Sequence, residues 1–160
     1  MIFTVLLGLW CVSAGTEELF NPNAELWNSS SVTRAQFAQI LLTMAGLEET
    51  AFVNGDVLFS DLDASSEDYA AAAAAFRLGY LDVNETAAFR PCEAVTLSEA
   101  VKGVLGVLGY TDVIRLAGGG GTYWSTAATL GLIPENAGNG DEPASPQVLQ
   151  KMVQTALKTE

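Results

Sequence analysis

A chain of 160 residues, 49% hydrophobic and 16% charged, is long enough to bury a core and too apolar to stay unfolded. Seven Lys and Arg against 19 Asp and Glu give a net charge of −12, a field that repels phosphate backbones and anionic membranes and so argues against a nucleic-acid partner. With no His, and with Cys11 and Cys92 matching no metal-ligand spacing, a zinc site and an imidazole relay are both excluded.

The chain opens on MIFTVLLGLWCVSAG, which allows two readings. An apolar run ending in Val-Ser-Ala has the outline of a signal peptide, yet no Lys or Arg precedes it. The other reading is a short helix over 2–8 stopped at Gly8, because the same Leu-Gly-apolar stop returns at Leu78-Gly79-Tyr80 and Leu130-Gly131-Leu132. On that reading Leu6, Leu7, Leu9 and Trp10 pack against the rest of the chain, which begins inside a repeat and is a fragment of something longer. The run is too short to span a membrane.

Further along, Phe20-Asn21-Pro22 reads as loop and Glu25–Ser30 (ELWNSS) as a loop insertion. Thr33 followed by Gln36 is a capping box and opens a helix over 33–45, closed by Gly46. Ala-rich residues with acids in the first turn predict a helix over 68–78 that stops at Gly79. A second Phe-x-Pro, Phe89-Arg90-Pro91, precedes Thr96 and Glu99, a capping box for a helix over 96–108. Gly103 and Gly106 make its propensity the weakest of the set. Gly118–Gly121 leads into a helix over 122–130, and Ser145-Pro146 opens the last one over 145–157. Counted from Thr33, Thr96 and Ser145, positions four, seven, eight and eleven further on are apolar or small in all three helices, for example Phe37, Ile40, Leu41 and Met44. No stretch alternates like a strand, so the fold class is all-α.

Three blocks, approximately 1–47, 57–110 and 114–158, therefore repeat helix, glycine stop, loop and capped helix within one domain, 1–160. Their residues resemble S-layer homology repeats, whose pattern is Phe-x-Asp, an aromatic opening a short helix, Gly, Phe-x-Pro, and Thr-Arg-Ala-Glu opening a longer helix. The resemblance covers one truncated, one full and one degenerate repeat. It implies a pseudo-threefold bundle of helix-loop-helix repeats that anchors an exported protein, non-covalently and without enzymatic activity, to an acidic secondary cell wall polysaccharide at the cell surface, with further domains as partners in a longer surface protein. Carried over position by position, the ligand-binding candidates are Arg34 with Thr33 beside it, Asp61, Tyr69 and, in the third block, Trp124, with Tyr123 as the alternative at that position; Leu97 and Pro146 stand where the other two arginines would be.

Physically, Arg34 suits an anion because a guanidinium at a helix start adds to free backbone N–H groups, so its loss is expected to weaken binding and leave an exposed helix start folded. It equally suits a solvated helix residue. Asp61 fits a turn cap as well as a sugar acceptor, and Tyr69 fits the core, sharing a face with Ala73 and Phe76.

Other chemistries find no support. The Gly-rich run lacks the Lys-Ser/Thr of a phosphate loop. The stretch from Asp61 starts like a calcium loop but has Ser66 and Ala72 where Gly and Glu belong, which leaves at most a weak surface site of Asp61, Asp63 and Asp68. No cofactor is called for, and no pair of carboxylates stands out as acid and base. The alternative function is a degenerate repeat that packs against proteins or acts as a spacer without glycan binding.

Overall fold

The computed structural model describes residues 25–47, 59–118, 120–134, 137–138 and 140–158. Among these the protein is all-α: seven helices and no strand. In chain order they are α1 (Glu25–Asn28), α2 (Arg34–Met44), α3 (Tyr69–Arg77), α4 (Leu97–Val107), α5 (Thr111–Leu116), α6 (Gly120–Thr129) and α7 (Pro146–Ala156). The expected helix over 2–8, with Leu6, Leu7, Leu9 and Trp10, lies outside the described residues.

The three long helices, α2, α4 and α7, start for the same local reason. The hydroxyls of Thr33, Thr96 and Ser145 accept from the N–H groups of Gln36, Glu99 and Val148 at 3.2, 3.2 and 3.3 Å. In the first two the return bond of a capping box is also made. The residue before each cap (Val32, Val95, Ala144) and the fourth helical residue (Phe37, Ala100, Leu149) are apolar and buried, the arrangement of a hydrophobic staple that sets the entry angle. The buried faces of the three helices then supply Ile40, Leu41, Val104, Leu105, Met152 and Val153 to one core. The short helices pack one unit back: α3 lies on α2, and α6 lies on α4.

Two consecutive junctions share one hydrogen-bonding scheme. Arg34 and Ala35 N–H donate to the carbonyls of Glu93 (2.8 Å) and Pro91 (3.1 Å), while Val95 N–H donates back to Val32 (3.0 Å). One unit later, Leu97 and Ser98 N–H donate to Glu142 (3.0 Å) and Gly140 (2.8 Å), and Ala144 N–H donates back to Val95 (2.9 Å). The first two N–H groups of α2 and α4, which no helix can satisfy internally, are thus consumed by the next loop. They are not free to face an anion, contrary to expectation.

Two further expectations are corrected. ELWNSS is not a plain loop: its first four residues form α1, because Trp27, 1% exposed, anchors it on α7. Helix α5 was not expected at all; a single buried residue, Ile114, holds it, and no side chain caps it. The glycines that weaken α4 have a packing role, since a Cβ on Gly103 would lie 2.8 Å from Leu41 Cδ1 and 3.2 Å from the Tyr80 carbonyl oxygen.

Candidate functional site

Four of the five predicted site residues meet around the second Phe-x-Pro loop. Arg34 occupies the first position of α2, and its side chain runs inward instead of out into solvent: it is 0% exposed. Its Nε donates to the Phe89 carbonyl at 2.7 Å, Nη2 donates to the Asp82 carbonyl at 2.6 Å, and Nη1 is ion-paired with Glu99 Oε1. The guanidinium also lies over the Phe89 ring, 5.0 Å from its centroid. Burial pulls its pKa below the usual value, against the pull of the Glu99 carboxylate. The expectation of an exposed helix start is therefore wrong: four different groups use this one side chain.

Glu99 is the hub opposite it. Its Oε1 accepts from Arg34 and from Arg90 Nη2 (2.9 Å), while Oε2 accepts the Thr96 N–H (3.0 Å) as the return arm of the capping box. Arg90 continues outward to Glu93 at 3.2 Å. The capping role of Glu99 was legible from spacing; its pairing with Arg34, 65 residues away, was not.

Asp61 grips the same loop from the other side. Its Oδ1 and Oδ2 accept the N–H groups of Phe89 and Arg90, both at 2.7 Å. That carboxylate holds a backbone in which Ala87 and Arg90 have φ values of 58° and 60°, a left-handed conformation that side chains other than Gly rarely adopt. Tyr69 is 9% exposed and meets Phe59 edge-on at 5.9 Å, within an aromatic group that also includes Phe76 and Phe89. Thr33 spends its hydroxyl on the α2 cap. Around Phe89, then, lies a structural knot in which the polar side chains of Arg34, Glu99, Asp61 and Thr33 are already partnered, while the buried Arg90 Nε finds no acceptor among the described residues.

Trp124 stands apart. It is half-buried on α6, and the edge of its ring covers Gly140, where a Cβ would lie 3.3 Å from Cζ3. On the neighbouring Tyr123 the Lys102 ammonium sits 6.0 Å from the ring centroid. Lys102 is about half exposed (47%) and faces Asp82 at 3.8 Å, an ion pair too open to hold it tightly. Lys102 and Tyr123 thus form a partly exposed cation–aromatic pair at the α4–α6 contact, with the half-buried Trp124 next along α6 against Gly140. Of these, the sequence pointed to Tyr123 or Trp124 and not to Lys102. The signal for Lys102 was its position six residues beyond Thr96, which α4 turns toward α6.

No protein-family model matches the chain, and no curated protein does.

Among the described residues no group of three or more His, Cys, Asp or Glu is arranged to hold a metal ion. Asp61 is committed to the loop, and Asp63 Oδ1 accepts from Ser65 N–H (2.8 Å) and Oγ (2.6 Å), bonds that hold its carboxyl below the usual range. Nor is any helix among them long and apolar enough to cross a membrane. Cys92 is an exposed free thiol.

Proposed function

We propose that this chain is a wall-anchoring module of S-layer homology type: three helix-loop-helix repeats in a pseudo-threefold bundle, non-enzymatic, holding an exported protein to an acidic polysaccharide of the bacterial cell wall. What carries the reading is the recurrence, at two successive junctions, of the same hydrogen bonds between a capped helix start and the following loop. A recurring junction of that kind is what a repeat array needs. The glycan contact moves from Arg34 to the Lys102, Tyr123 and Trp124 surface, where a half-exposed ammonium supplies local positive charge and two aromatic rings supply stacking faces. Sedimentation of the purified chain with peptidoglycan sacculi, before and after the secondary polymer is stripped, tests it. Pelleting that disappears on stripping and falls in Lys102→Ala and Trp124→Ala supports the reading; pelleting indifferent to the polymer refutes it.

The second reading, a packing or spacer module that has lost glycan affinity, is favoured by one observation. The motif arginine is wholly used inside the protein. On that reading the chain does not pellet with sacculi at all.

A further inference from the structure

The ends of α2, α4 and α7 converge on an open depression of about 570 Å³. It is lined by Met44, the last residue of α2, and Leu47 after it, by Leu108 and Tyr110 after α4, by Leu157 after α7, and by Tyr80. Three of these residues arrive by one device. Gly46, Gly79 and Gly109 each have positive φ (65°, 72° and 79°), and the next residue's N–H closes the turn: Leu47 onto Leu42 (3.0 Å), Tyr80 onto Ala75 (2.9 Å) and Tyr110 onto Leu105 (2.9 Å). This is the Schellman cap, whose following residue normally buries an apolar contact on its own helix. Here Leu47, Tyr80 and Tyr110 are only half-buried and stand around unfilled space.

We propose that this depression binds a small amphiphilic cation, an ammonium group carried on an alkyl or aryl body. The apolar side chains of the lining, which share it about equally with polar atoms, suit the body, and the volume falls within the range of small-molecule sites. The charge preference has three sources. Among the described residues no Asp, Glu, Lys or Arg lines the depression, and it lies at the negative ends of the α2, α4 and α7 dipoles, none of which has a basic residue in its last turn, whereas α3, which brings Tyr80, ends on Arg77. Lys158, next to Leu157, is the nearest basic residue in sequence and is exposed. The rings of Tyr80 and Tyr110 can receive an ammonium on their faces. Finally, the −12 charge draws cations toward the protein from a distance. The same charge disfavours an acidic glycan here, and disfavours a second copy of the chain. Burial also pushes the Tyr80 phenol above its ordinary pKa.

The test is titration calorimetry with octyltrimethylammonium, octyl glucoside and octyl sulfate, each below its micelle concentration. The expected result is saturable one-to-one binding of the cation, at least about tenfold tighter than either of the others. Leu108→Lys and Leu157→Lys, which place a positive charge in the lining, should weaken it at least about tenfold while helical circular dichroism is retained. Tyr110→Leu keeps apolar volume and removes one ring, so it should weaken the cation selectively and serves if the lysine variants do not fold. Equal affinity for the sulfate or glucoside, non-saturable uptake, parental binding by a folded lysine variant, or a ligand-free dimer that buries the depression would each overturn the proposal.

Discussion

Replacing Arg34 with Ala separates the buried ion hub from the exposed helix start that the sequence suggests. Truncation removes donors from the Phe89 and Asp82 carbonyls and the guanidinium from Glu99. Breaking a buried pair by deleting one partner costs about 3–5 kcal/mol. Glu99 is 22% exposed and keeps Arg90 at 2.9 Å, and the Asp82 side chain is 77% exposed, so water can reach part of the site. Both facts move the expectation to the low end, about 3 kcal/mol, against at most about 0.5 kcal/mol for an exposed arginine. With a urea slope of about 1.5 kcal/mol per M, the unfolding midpoint should fall by roughly 2 M at unchanged slope. Arg34→Lys keeps the charge but cannot serve three acceptors at once, and should lie between Ala and the parent. A loss below about 1 kcal/mol for Arg34→Ala, read by urea denaturation with circular dichroism, would refute the argument that this side chain is structural.

Asp61→Ala leaves the Phe89 and Arg90 N–H groups without their acceptors and should cost about 2–4 kcal/mol, with Asp61→Asn losing less because one oxygen survives; thermal and urea melts measure both. Gly103→Ala gains about 1 kcal/mol of helix propensity but pushes a Cβ to within 2.8 Å of Leu41 and 3.2 Å of the Tyr80 carbonyl, so it should destabilise by about 1 kcal/mol net; a more stable variant would show that α4 and α2 have room to separate. For Tyr80 the folded phenol is held neutral above its unfolded pKa of about 10, so its contribution is complete below that pH and is lost as pH rises through the higher folded value. The difference between the absorbance titrations of the parent and of Tyr80→Phe should therefore rise above the ordinary phenol range, and a difference centred at or below about 10 would contradict the assignment.

What the sequence made legible was local chemistry. The starts of α2, α4 and α7 follow from a hydroxyl and a partner within three residues, and the glycine stops from the apolar residue behind them. Helix α1 was hidden because its reason to exist is distant: Trp27 becomes buried only when α7 arrives some 120 residues later, where Gln147 also reaches the Trp27 carbonyl. Helix α5 lacked both cap and periodicity. Arg34 shows the limit most plainly. Its spacing from Thr33 is a motif, but its acceptors lie 48 to 65 residues away, and only tertiary structure could decide whether the side chain turned out to a ligand or in to Phe89 and Glu99. Asp61 was readable as a turn cap, but its carboxylate serves the backbone of Phe89 and Arg90, 28 and 29 residues away, which no local pattern announces.

The junction scheme also sets the order in which the protein comes apart. At Arg34 and Leu97 a backbone N–H ties one unit to the next, but the corresponding position of α7 is Pro146, which has no N–H to give. Among the described residues the link from α7 to α1 includes one long side-chain bond, Gln147 Nε2 to the Trp27 carbonyl at 3.4 Å, and buried Trp27 Nε1 and Gln150 Nε2 find no acceptor there. Among the described residues that seam therefore carries fewer backbone ties than the other two. Amide exchange should begin in α1 and the first turns of α7, while the amides of Arg34, Val95, Leu97 and Ala144 persist toward global unfolding. Cutting the chain after α6 would do more than remove a helix: it would take the acceptors of Leu97 and Ser98 with it and unsettle α4 from outside.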